Sequence, residues 1–309
     1  MEMKDNYGRP TTSLRISITQ DCDLNCFYCH NEGCEKEDRE MTADEIAKIV
    51  EIGTEFGMDK VKITGGEPLV RDDLTEIIGA ISQLNIKDVS ITTNGVKLGE
   101  KVEDLASAGL DRANISLDTL DSETYEKITG KPVLDKVLEG IDSALDVGLH
   151  PIKLNTLMLD GINDGEEIER LMEYSLGRGT ILQLIELEKV LPENQKIYEK
   201  YHKSLDPIEE KIRKRADDVD TRWLMQARRK YLFNGGEIEI VNPMHNSEFC
   251  KYCTRLRMTS GGYLKPCLMR NDNLVDVLTP VRNGSKDGIR KAFETAINRR
   301  EPYFSEEEK

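Results

Sequence analysis

The chain alternates between short apolar runs and longer amphipathic segments through about its first 189 residues. The short runs have the length and composition of buried strands and cover residues 14–19, 61–64, 89–93, 113–117, 152–158 and 181–187. The amphipathic segments place apolar residues at helical spacing and cover residues 42–56, 74–84, 102–108, 133–147 and 166–176. This repeating order predicts an α/β fold with a parallel sheet and right-handed helical crossovers. Six strands fall short of the eight that close a TIM barrel.

Local signals support the boundaries of two of these helices. Thr42 and Glu45 have the spacing of a capping box at the start of the first predicted helix. Gly57 and Gly148 stand where the first and fourth predicted helices should end.

A different pattern begins after residue 189. Residues 193–218 are highly charged and predict a helical connection. Glycine-rich turns then separate apolar runs within 231–241 and 256–264, which predicts two β-hairpins, and residues 289–297 predict a last helix. We therefore expect a barrel domain over residues 1–215 and an α+β C-terminal domain over residues 216–309.

Charge and cysteine usage limit the classes of partner. The 309 residues carry a formal net charge of −15, which argues against a protein that binds nucleic acid through phosphate neutralisation. No apolar run is long enough to span a bilayer and the opening residues contain no signal-like segment, so we expect a cytoplasmic protein without a membrane partner. In a reducing compartment, seven cysteines in two tight groups indicate metal ligands rather than disulfides.

The first cysteine group directly follows the first predicted strand. Cys22, Cys26 and Cys29 have the spacing C-x3-C-x2-C. Three thiolates on one loop can bind three irons of a four-iron cubane and leave the fourth iron open to a small molecule. The alternative is a structural zinc site with Cys34 or His30 as fourth ligand. Zinc sites usually draw ligand pairs from two separate loops, so three ligands on one loop favour the cluster.

Polar segments follow the next predicted strands in the same way. A Gly-Gly-Glu-Pro segment at residues 65–68 follows the second strand, residues 92–95 follow the third, and Ser116 lies near the end of the fourth. The carboxyl ends of parallel strands share one edge of the sheet, where ligands bind. The sequence therefore predicts one site that includes the cysteine loop and these segments.

The motif Cys22-x3-Cys26-x-Tyr28-Cys29 resembles the signature of the radical S-adenosylmethionine (SAM) enzymes. The resemblance implies a partial (β/α)6 TIM-like barrel with a [4Fe–4S] cluster on the three cysteines. The open iron would chelate SAM, and reductive cleavage of SAM would give a 5′-deoxyadenosyl radical. Residues 64–68 resemble the second motif of that family, and the implied SAM contacts are Tyr28, Gly66, Glu67 and Ser116.

The second cysteine group lies in the C-terminal part and is accompanied by arginines. It consists of Cys250, Cys253 and Cys267, with the spacing C-x2-C-x13-C. By itself this spacing fits either a second open cluster or a zinc site completed by His245. Arg255 and Arg257 alternate along a predicted strand and so face the same side. Two guanidiniums beside an open metal position favour an anionic substrate.

The order of motifs along nearly the whole chain resembles the GTP 3′,8-cyclase family of molybdenum cofactor biosynthesis, in its archaeal branch. The resemblance implies a second [4Fe–4S] cluster on the second cysteine group, which would bind the guanine of GTP. The implied GTP contacts are Arg15, Lys62, Thr92, Lys153, Arg255, Leu256 and Arg257, with Arg255 and Arg257 also implied in catalysis. Without the family, Lys62 and Lys153 would be interpreted as solvated lysines at strand ends.

The implied reaction converts GTP to 3′,8-cyclo-7,8-dihydro-GTP, the first step towards the molybdenum or tungsten cofactor. The radical takes hydrogen from C3′ of GTP, and C3′ then attacks C8 of the guanine. The resemblance also implies an electron donor and a downstream cyclic pyranopterin monophosphate synthase. The oligomeric state stays open, with a homodimer as one alternative. Two other functions stay open: a radical enzyme that modifies peptides, and a zinc-stabilised binding module without catalysis.

The chain departs from the family pattern at three places. Bacterial members carry an arginine at the position of Gln183 and a SAM-contacting methionine at the position of Glu188. The usual C-terminal Gly-Gly is absent, since the chain ends in Glu-Glu-Glu-Lys. The missing guanidinium at Gln183 weakens the expectation of a phosphate or ribose contact there.

Overall fold

The computed structural model of the chain describes residues 3–34, 37–190 and 192–304, so the C-terminal residues 305–309 fall outside the described residues. The strands are β1 (Ser13–Ser17), β2 (Lys60–Thr64), β3 (Asp88–Thr93), β4 (Arg112–Ser116), β5 (Lys153–Leu157), β6 (Ile181–Ile185), β7 (Asp218–Arg222), β8 (Arg228–Phe233), β9 (Gly236–Val241), β10 (Arg255–Met258), β11 (Tyr263–Lys265) and β12 (Val275–Asp276). The helices are α1 (Ala43–Glu55), α2 (Leu74–Ser82), α3 (Leu98–Ser107), α4 (Ser122–Thr129), α5 (Leu134–Asp146), α6 (Glu166–Gly177), α7 (Gln195–Tyr201), α8 (Asp206–Arg215), α9 (Ser247–Lys251), α10 (Leu278–Arg282) and α11 (Lys286–Asn298).

The described strands form one sheet in the order β12-β11-β10-β1-β2-β3-β4-β5-β6-β9-β8-β7. Its centre is parallel from β10 through β1–β6 to β9, so the six predicted barrel strands are confirmed and a C-terminal strand extends them on each side. Antiparallel pairs complete both ends, which confirms the two predicted hairpins. The domain division at residue 215 stays a prediction, and the sheet runs across it.

Most of the helices bury an apolar face in a core that they share with the sheet, whereas α7 has no buried residue. The predicted capping box of α1 is present, because Thr42 Oγ1 accepts from the Glu45 amide at 3.3 Å and Glu45 Oε2 accepts from the Thr42 amide at 2.9 Å. Gly57 and Gly148 follow α1 and α5 with φ of 94° and 81°, a conformation that glycine adopts without strain. No helix in the described part of the chain is long and apolar enough to cross a membrane.

Two of the elements that the sequence did not predict carry little apolar periodicity. Helix α4 buries only Tyr125, Ile128 and Thr129, and its first turn is capped by Asp121, which accepts from the Thr124 amide at 2.8 Å. Strand β7 is a charged edge strand, so no apolar run predicts it from the sequence. The predicted helical connection over residues 193–218 is divided into α7 and α8, and β7 begins where it ends.

The loop after β2 packs directly on the backbone that leads into the first cysteine group. The Gly66 amide donates to the Thr19 carbonyl at 2.8 Å, and the Glu67 amide donates to the Asp21 carbonyl at 2.7 Å. A Cβ at Gly66 would lie 2.3 Å from the Asp21 carbonyl oxygen, and one at Gly65 would lie 2.7 Å from that of Thr19. The two glycines are therefore required for the close approach of these loops.

We expect Gly66→Ala to reduce the free energy of unfolding by about 1–3 kcal/mol, because the added methyl group must displace the cysteine loop. The matched control is Gly79→Ala in α2, where a Cβ meets no atom within 4 Å. That change should raise the free energy of unfolding by about 0.5–1 kcal/mol. Chemical denaturation of the apoprotein measures both values. A Gly66→Ala protein as stable as the wild type would contradict the docking of the two loops.

Candidate active site

Side chains from most of the parallel strands point into one cavity of about 310 Å³. Its wall includes residues on β1, β2, β4, β5, β6, β9 and β10, together with the loops of the second cysteine group. Because strands so far apart in the sheet contact the same space, the sheet curves around it. The cavity therefore occupies the interior of a partial barrel.

The second cysteine group lines one end of this cavity, and the loop of the first group reaches the other end through Tyr28 and His30, although its three cysteines do not line the cavity. Strands β1 and β10 run parallel, with Arg15 opposite Arg257. Cys22 follows the carboxyl end of β1, whereas Cys253 precedes the amino end of β10. A five-residue strand spans roughly 17 Å, which sets the scale of the separation. Cys267 follows the antiparallel β11 and so returns to the end that holds Cys253.

The unpredicted helix α4 anchors the first cysteine loop. The Asn25 amide donates to the Thr129 carbonyl at 2.9 Å, and the Phe27 amide donates to the Ile128 carbonyl at 3.1 Å. Cys22 and Cys29 remain exposed, and Cys26 is half-buried. Backbone contacts thus hold the loop while its thiols stay available.

The first cysteine group has the donors that an iron–sulfur cluster requires. Burial raises the pKa of Cys26, and Asp118 and the thiols of Cys29 and Cys22 raise it further, so the loop needs a cationic group to hold three thiolates. Among the described residues, no three Cys, His, Asp or Glu side chains are grouped closely enough to hold a single metal ion. A cubane binds each cysteine through a different iron, so thiols spread along a loop fit it.

Two of the four predicted SAM contacts line the cavity. They are Tyr28 and Ser116. The Tyr28 hydroxyl donates to Asp118 Oδ2 at 2.5 Å, and burial raises the pKa of Asp118 to about 6. This carboxylate orients Tyr28 at the edge of the first cysteine loop.

Glu67, another predicted SAM contact, does not line the cavity, and neither does Gly66. Its side chain is fully buried and joins the loops after β2 and β3. It accepts from Thr93 Oγ1 at 2.7 Å, from the Asn94 amide at 2.6 Å and from the Leu69 amide at 2.9 Å. Burial nevertheless raises the pKa of Glu67 to about 7. The structure gives Glu67 a loop-ordering role, and its contact with the SAM ammonium stays a prediction.

Five of the predicted GTP-binding residues form a cationic wall: Arg15, Lys62, Lys153, Arg255 and Arg257. Lys62 Nζ donates to Asn114 Oδ1 at 2.9 Å, and burial beside arginines holds its pKa well below the usual lysine range. Burial and neighbouring guanidiniums also lower the pKa of Arg255. Neither Lys62 nor Arg255 has a carboxylate partner in the described part of the chain. Buried charge without a counter-charge is costly, so this wall favours an anionic ligand.

Two predicted GTP contacts do not line the cavity. Thr92 Oγ1 accepts from Arg15 Nη2 at 3.3 Å and so positions that guanidinium. The Leu256 side chain is fully buried in the core, so a ligand can meet only its backbone. Contacts of these two residues with a nucleotide stay predictions.

Two arginines that the sequence analysis missed hold the second cysteine group. Arg9 Nη1 donates to the Cys250 carbonyl at 2.9 Å, and Arg300 Nη2 donates to the Cys253 carbonyl at 2.5 Å. Both guanidiniums also contact the buried carboxylate of Asp5, at 2.7 Å and 3.2 Å. No local pattern marks these residues, because the contacts that join Arg9 to Cys250 and Arg300 to Cys253 and Asp5 form between residues far apart in the sequence.

Glu32, in the turn Asn31–Gly33, joins the first cysteine loop to the cationic wall. Its Oε2 accepts from Arg257 Nη1 at 2.7 Å, and its Oε1 lies 3.6 Å from Arg15 Nε and accepts from Thr64 Oγ1 at 3.1 Å. Burial would raise the pKa of Glu32, but the two guanidiniums outweigh it and lower the pKa to about 2. No sequence pattern predicts this role for Glu32, since one acidic residue in a loop usually faces solvent.

Lys153 and Gln183 share a second missed carboxylate, Glu239 on β9. Glu239 is fully buried and lies opposite Gln183 in the β6–β9 register. Its Oε1 is 2.5 Å from Lys153 Nζ and 2.8 Å from Arg222 Nη1, and its Oε2 accepts from the Gln183 amide. Although burial opposes it, Lys153 and the neighbouring arginines hold the pKa of Glu239 below the usual carboxyl range.

Two family models match the chain. Residues 16–174 match the radical SAM superfamily. The chain belongs to the radical SAM superfamily. Residues 180–306 match the family Molybdenum Cofactor Synthesis C. Membership in this superfamily implies an iron–sulfur cluster and SAM binding, which confirms these two predicted cofactors, while the assignment of the cluster to the first cysteine group stays a prediction.

Curated relatives extend the match to full length. Probable GTP 3′,8-cyclases from Methanococcus maripaludis (strain S2), Methanocaldococcus jannaschii and Methanothermobacter thermautotrophicus are 50%, 50% and 46% identical over 302, 303 and 305 residues. The alignments cover 97%, 98% and 99% of this chain and 99%, 99% and 100% of the relatives. The predicted resemblance to the archaeal branch of this family is therefore confirmed.

Solved radical SAM structures share the fold. Streptococcus suis SuiB bound to S-adenosylmethionine superposes with a TM-score of 0.67 at 20% identity, over 93% of this chain and 69% of SuiB. Native anSMEcpe with bound AdoMet gives a TM-score of 0.62 at 17% identity, over 93% of this chain and 81% of that protein. At such identities the likeness concerns the fold alone, and it confirms the TIM-like partial barrel with a C-terminal extension.

We expect Glu32→Gln to lower the free energy of unfolding of the apoprotein most strongly near neutral pH. With its folded pKa lowered to about 2, the carboxylate stabilises the fold above the unfolded value of 4.5, and this stabilisation is lost as pH falls towards about 2. The difference in free energy of unfolding between the wild type and Glu32→Gln should be roughly 1 kcal/mol smaller at about pH 3.5 than at about pH 7. Denaturant unfolding at both pH values measures it. A gap that does not shrink at low pH would exclude the ion pairs of Glu32.

Proposed function

We propose that this protein is a GTP 3′,8-cyclase, which converts GTP to 3′,8-cyclo-7,8-dihydro-GTP at the start of molybdenum cofactor biosynthesis. The observation that carries the proposal is one cavity between two cysteine groups, with a wall of buried cations along its length. Such a cavity offers SAM and a nucleoside triphosphate a common space. The names of the curated relatives support this substrate.

The first cysteine group would serve the SAM end of the cavity. Cys22, Cys26 and Cys29 would hold a [4Fe–4S] cluster, which when bound supplies the electron that cleaves SAM to the 5′-deoxyadenosyl radical. Tyr28 and Ser116 would contact SAM from the wall. The Gly66 loop would keep the cysteine loop in place through its backbone contacts.

The second cysteine group would serve the guanine end. Cys250, Cys253 and Cys267 would hold a second [4Fe–4S] cluster, whose open position supplies a Lewis-acid contact for the purine. Arg9 and Arg300 support this proposal, because they fix the backbone at Cys250 and Cys253. The cationic wall would bind the triphosphate and fix the ribose between the two ends.

The atoms of the proposed reaction balance without any loss from the nucleotide. One hydrogen atom leaves C3′, a bond forms between C3′ and C8, and one electron and one proton added to the ring give the dihydro product, an isomer of GTP. The protein must hold C3′ towards SAM and C8 towards C3′ while it excludes water. The donor of the electron and the downstream synthase stay predictions.

We expect Cys22→Ser to abolish SAM cleavage, because the first cluster loses one of its three ligands. The matched control is Cys34→Ser, since Cys34 lies outside both proposed ligand sets and should keep wild-type cleavage. Anaerobic reconstitution followed by chromatography of 5′-deoxyadenosine and of the GTP-derived product measures both steps. Cleavage at the wild-type rate in Cys22→Ser, or no GTP-derived product from the wild type, would refute the assignment.

We expect the reconstituted wild type to bind about eight iron atoms and Cys267→Ala to bind about four, because only the second cluster is lost. The variant should still cleave SAM but form no cyclised product. Iron, sulfide and zinc analysis of anaerobic protein measures the content. About four iron atoms together with one zinc in the wild type would support the zinc alternative for the second group.

A further inference from the structure

Arg228, the first residue of β8, lines the cavity but is absent from the predicted GTP contacts. Its side chain is only 9% exposed. Nη2 donates to Gln226 Oε1 at 2.8 Å, whereas Nε is buried without a hydrogen-bond partner among the described residues. A buried guanidinium with an unused donor is costly unless a ligand completes its hydrogen bonds.

The surroundings of Arg228 carry an excess of positive charge. Lys153, Arg222 and Arg228 surround the single carboxylate of Glu239. Lys153 Nζ and Arg222 Nη1 contact Glu239 Oε1 at 2.5 and 2.8 Å, whereas Arg228 Nη1 lies 3.8 Å from Oε2. Arg228 is the least well paired of these three cations. Glu188 also lines the cavity and brings a second negative charge near Arg228, so three cations face two carboxylates. The excess of positive charge that remains favours an anionic ligand.

Arg228 and Gln183 meet at the same oxygen, Glu239 Oε2. The Gln183 amide donates to this oxygen and brings no charge to the wall. The guanidinium of Arg228 therefore supplies positive charge at the part of the cavity where the sequence at Gln183 leaves none. Glu239 therefore orients the side chains of Arg228 and Gln183.

The backbone before Arg228 is held in an unusual conformation. Gln226 and Ala227 have φ of 67° and 52°, in the left-handed region that residues with a Cβ rarely adopt. Their amides donate to the carbonyls of Tyr252 and Trp223 at 3.1 Å each. Tyr252 lies between the first two cysteines of the second group. This strained turn therefore fixes Arg228 relative to the proposed guanine end.

We propose that Arg228 binds the triphosphate of GTP as an additional substrate contact. The inference rests on the proposed function for the identity of the nucleotide, while the anionic character of the ligand follows from the cluster itself. A guanidinium has only donors, so phosphate oxygens suit it better than ribose hydroxyls, and its planar fork can bind two of them.

The test measures equilibrium binding of three probes to the anaerobically reconstituted holoenzyme: GTP, guanosine and inorganic tripolyphosphate. In Arg228→Gln, binding of GTP and of tripolyphosphate should weaken by the same factor, roughly tenfold or more, because charge-assisted hydrogen bonds are lost. Binding of guanosine should not change. The matched control is Arg229→Gln on the same strand, since Arg229 is half-exposed, pairs with Glu209 at 3.1 Å and should leave all three affinities unchanged.

Tripolyphosphate binding at wild-type strength in Arg228→Gln would overturn the proposal. Guanosine binding that weakens as much as GTP binding would also overturn it, because Arg228 would then act on the base or on the shape of the cavity. If the wild type forms no cyclised product from GTP but tripolyphosphate binding still depends on Arg228, the proposed function fails and the anion site stands.

A structure of the wild-type holoenzyme with GTP requires no variant, so it tests the Arg228 proposal even if Arg228→Gln does not fold. It should place a phosphate oxygen within hydrogen-bond distance of Arg228. Phosphates that are all bound elsewhere in the cavity would overturn the proposal. Arg228→Lys, which keeps the charge but not the fork, should bind tripolyphosphate with an intermediate affinity, and wild-type affinity in that variant would assign the effect to charge alone.

Discussion

The parallel pairing of β1 with β10 is the constraint on which the site depends. It places Arg15 opposite Arg257 and joins the first strand of the barrel to a strand from the far end of the chain. Because Cys22 follows β1 and Cys253 precedes β10, the same pairing puts the loop of the first cysteine group and the second cysteine group at opposite ends of one cavity. The partial barrel alone would supply a place for SAM. The C-terminal strands β9 and β10 close the walls around a second ligand.

Electrostatics decides what that second ligand can be. The chain carries a net charge of −15, yet its central cavity gathers buried arginines and lysines. Glu32 and Glu239 balance part of this charge and fix the geometry of their partners, but Lys62, Arg228 and Arg255 remain poorly compensated. Since such charges are costly without a ligand, the cavity is built for a polyanion, and a nucleoside triphosphate meets that requirement.

The barrel strands, the capping box at Thr42 and the two cysteine groups could be predicted because each depends on local spacing. The alternation of Arg255 and Arg257 also predicted correctly that both side chains face the same side, and both line the cavity. Glu32, Arg228 and Glu239 could not be predicted, because single charged residues in loops and strands usually face solvent and only the folded sheet buries them together. The case of Glu67 is different. Its motif could be recognised from the sequence, but in the structure its hydrogen bonds order the loops after β2 and β3.

The most direct test of the account uses GTP deuterated at C3′ with SAM and the anaerobically reconstituted enzyme. If the cavity holds the ribose towards SAM and the guanine towards the second cysteine group, deuterium should appear in 5′-deoxyadenosine as GTP is converted to the cyclised product. A 5′-deoxyadenosine without deuterium, formed while GTP is consumed, would contradict this arrangement. SAM cleavage that leaves GTP unchanged would contradict the proposed substrate itself.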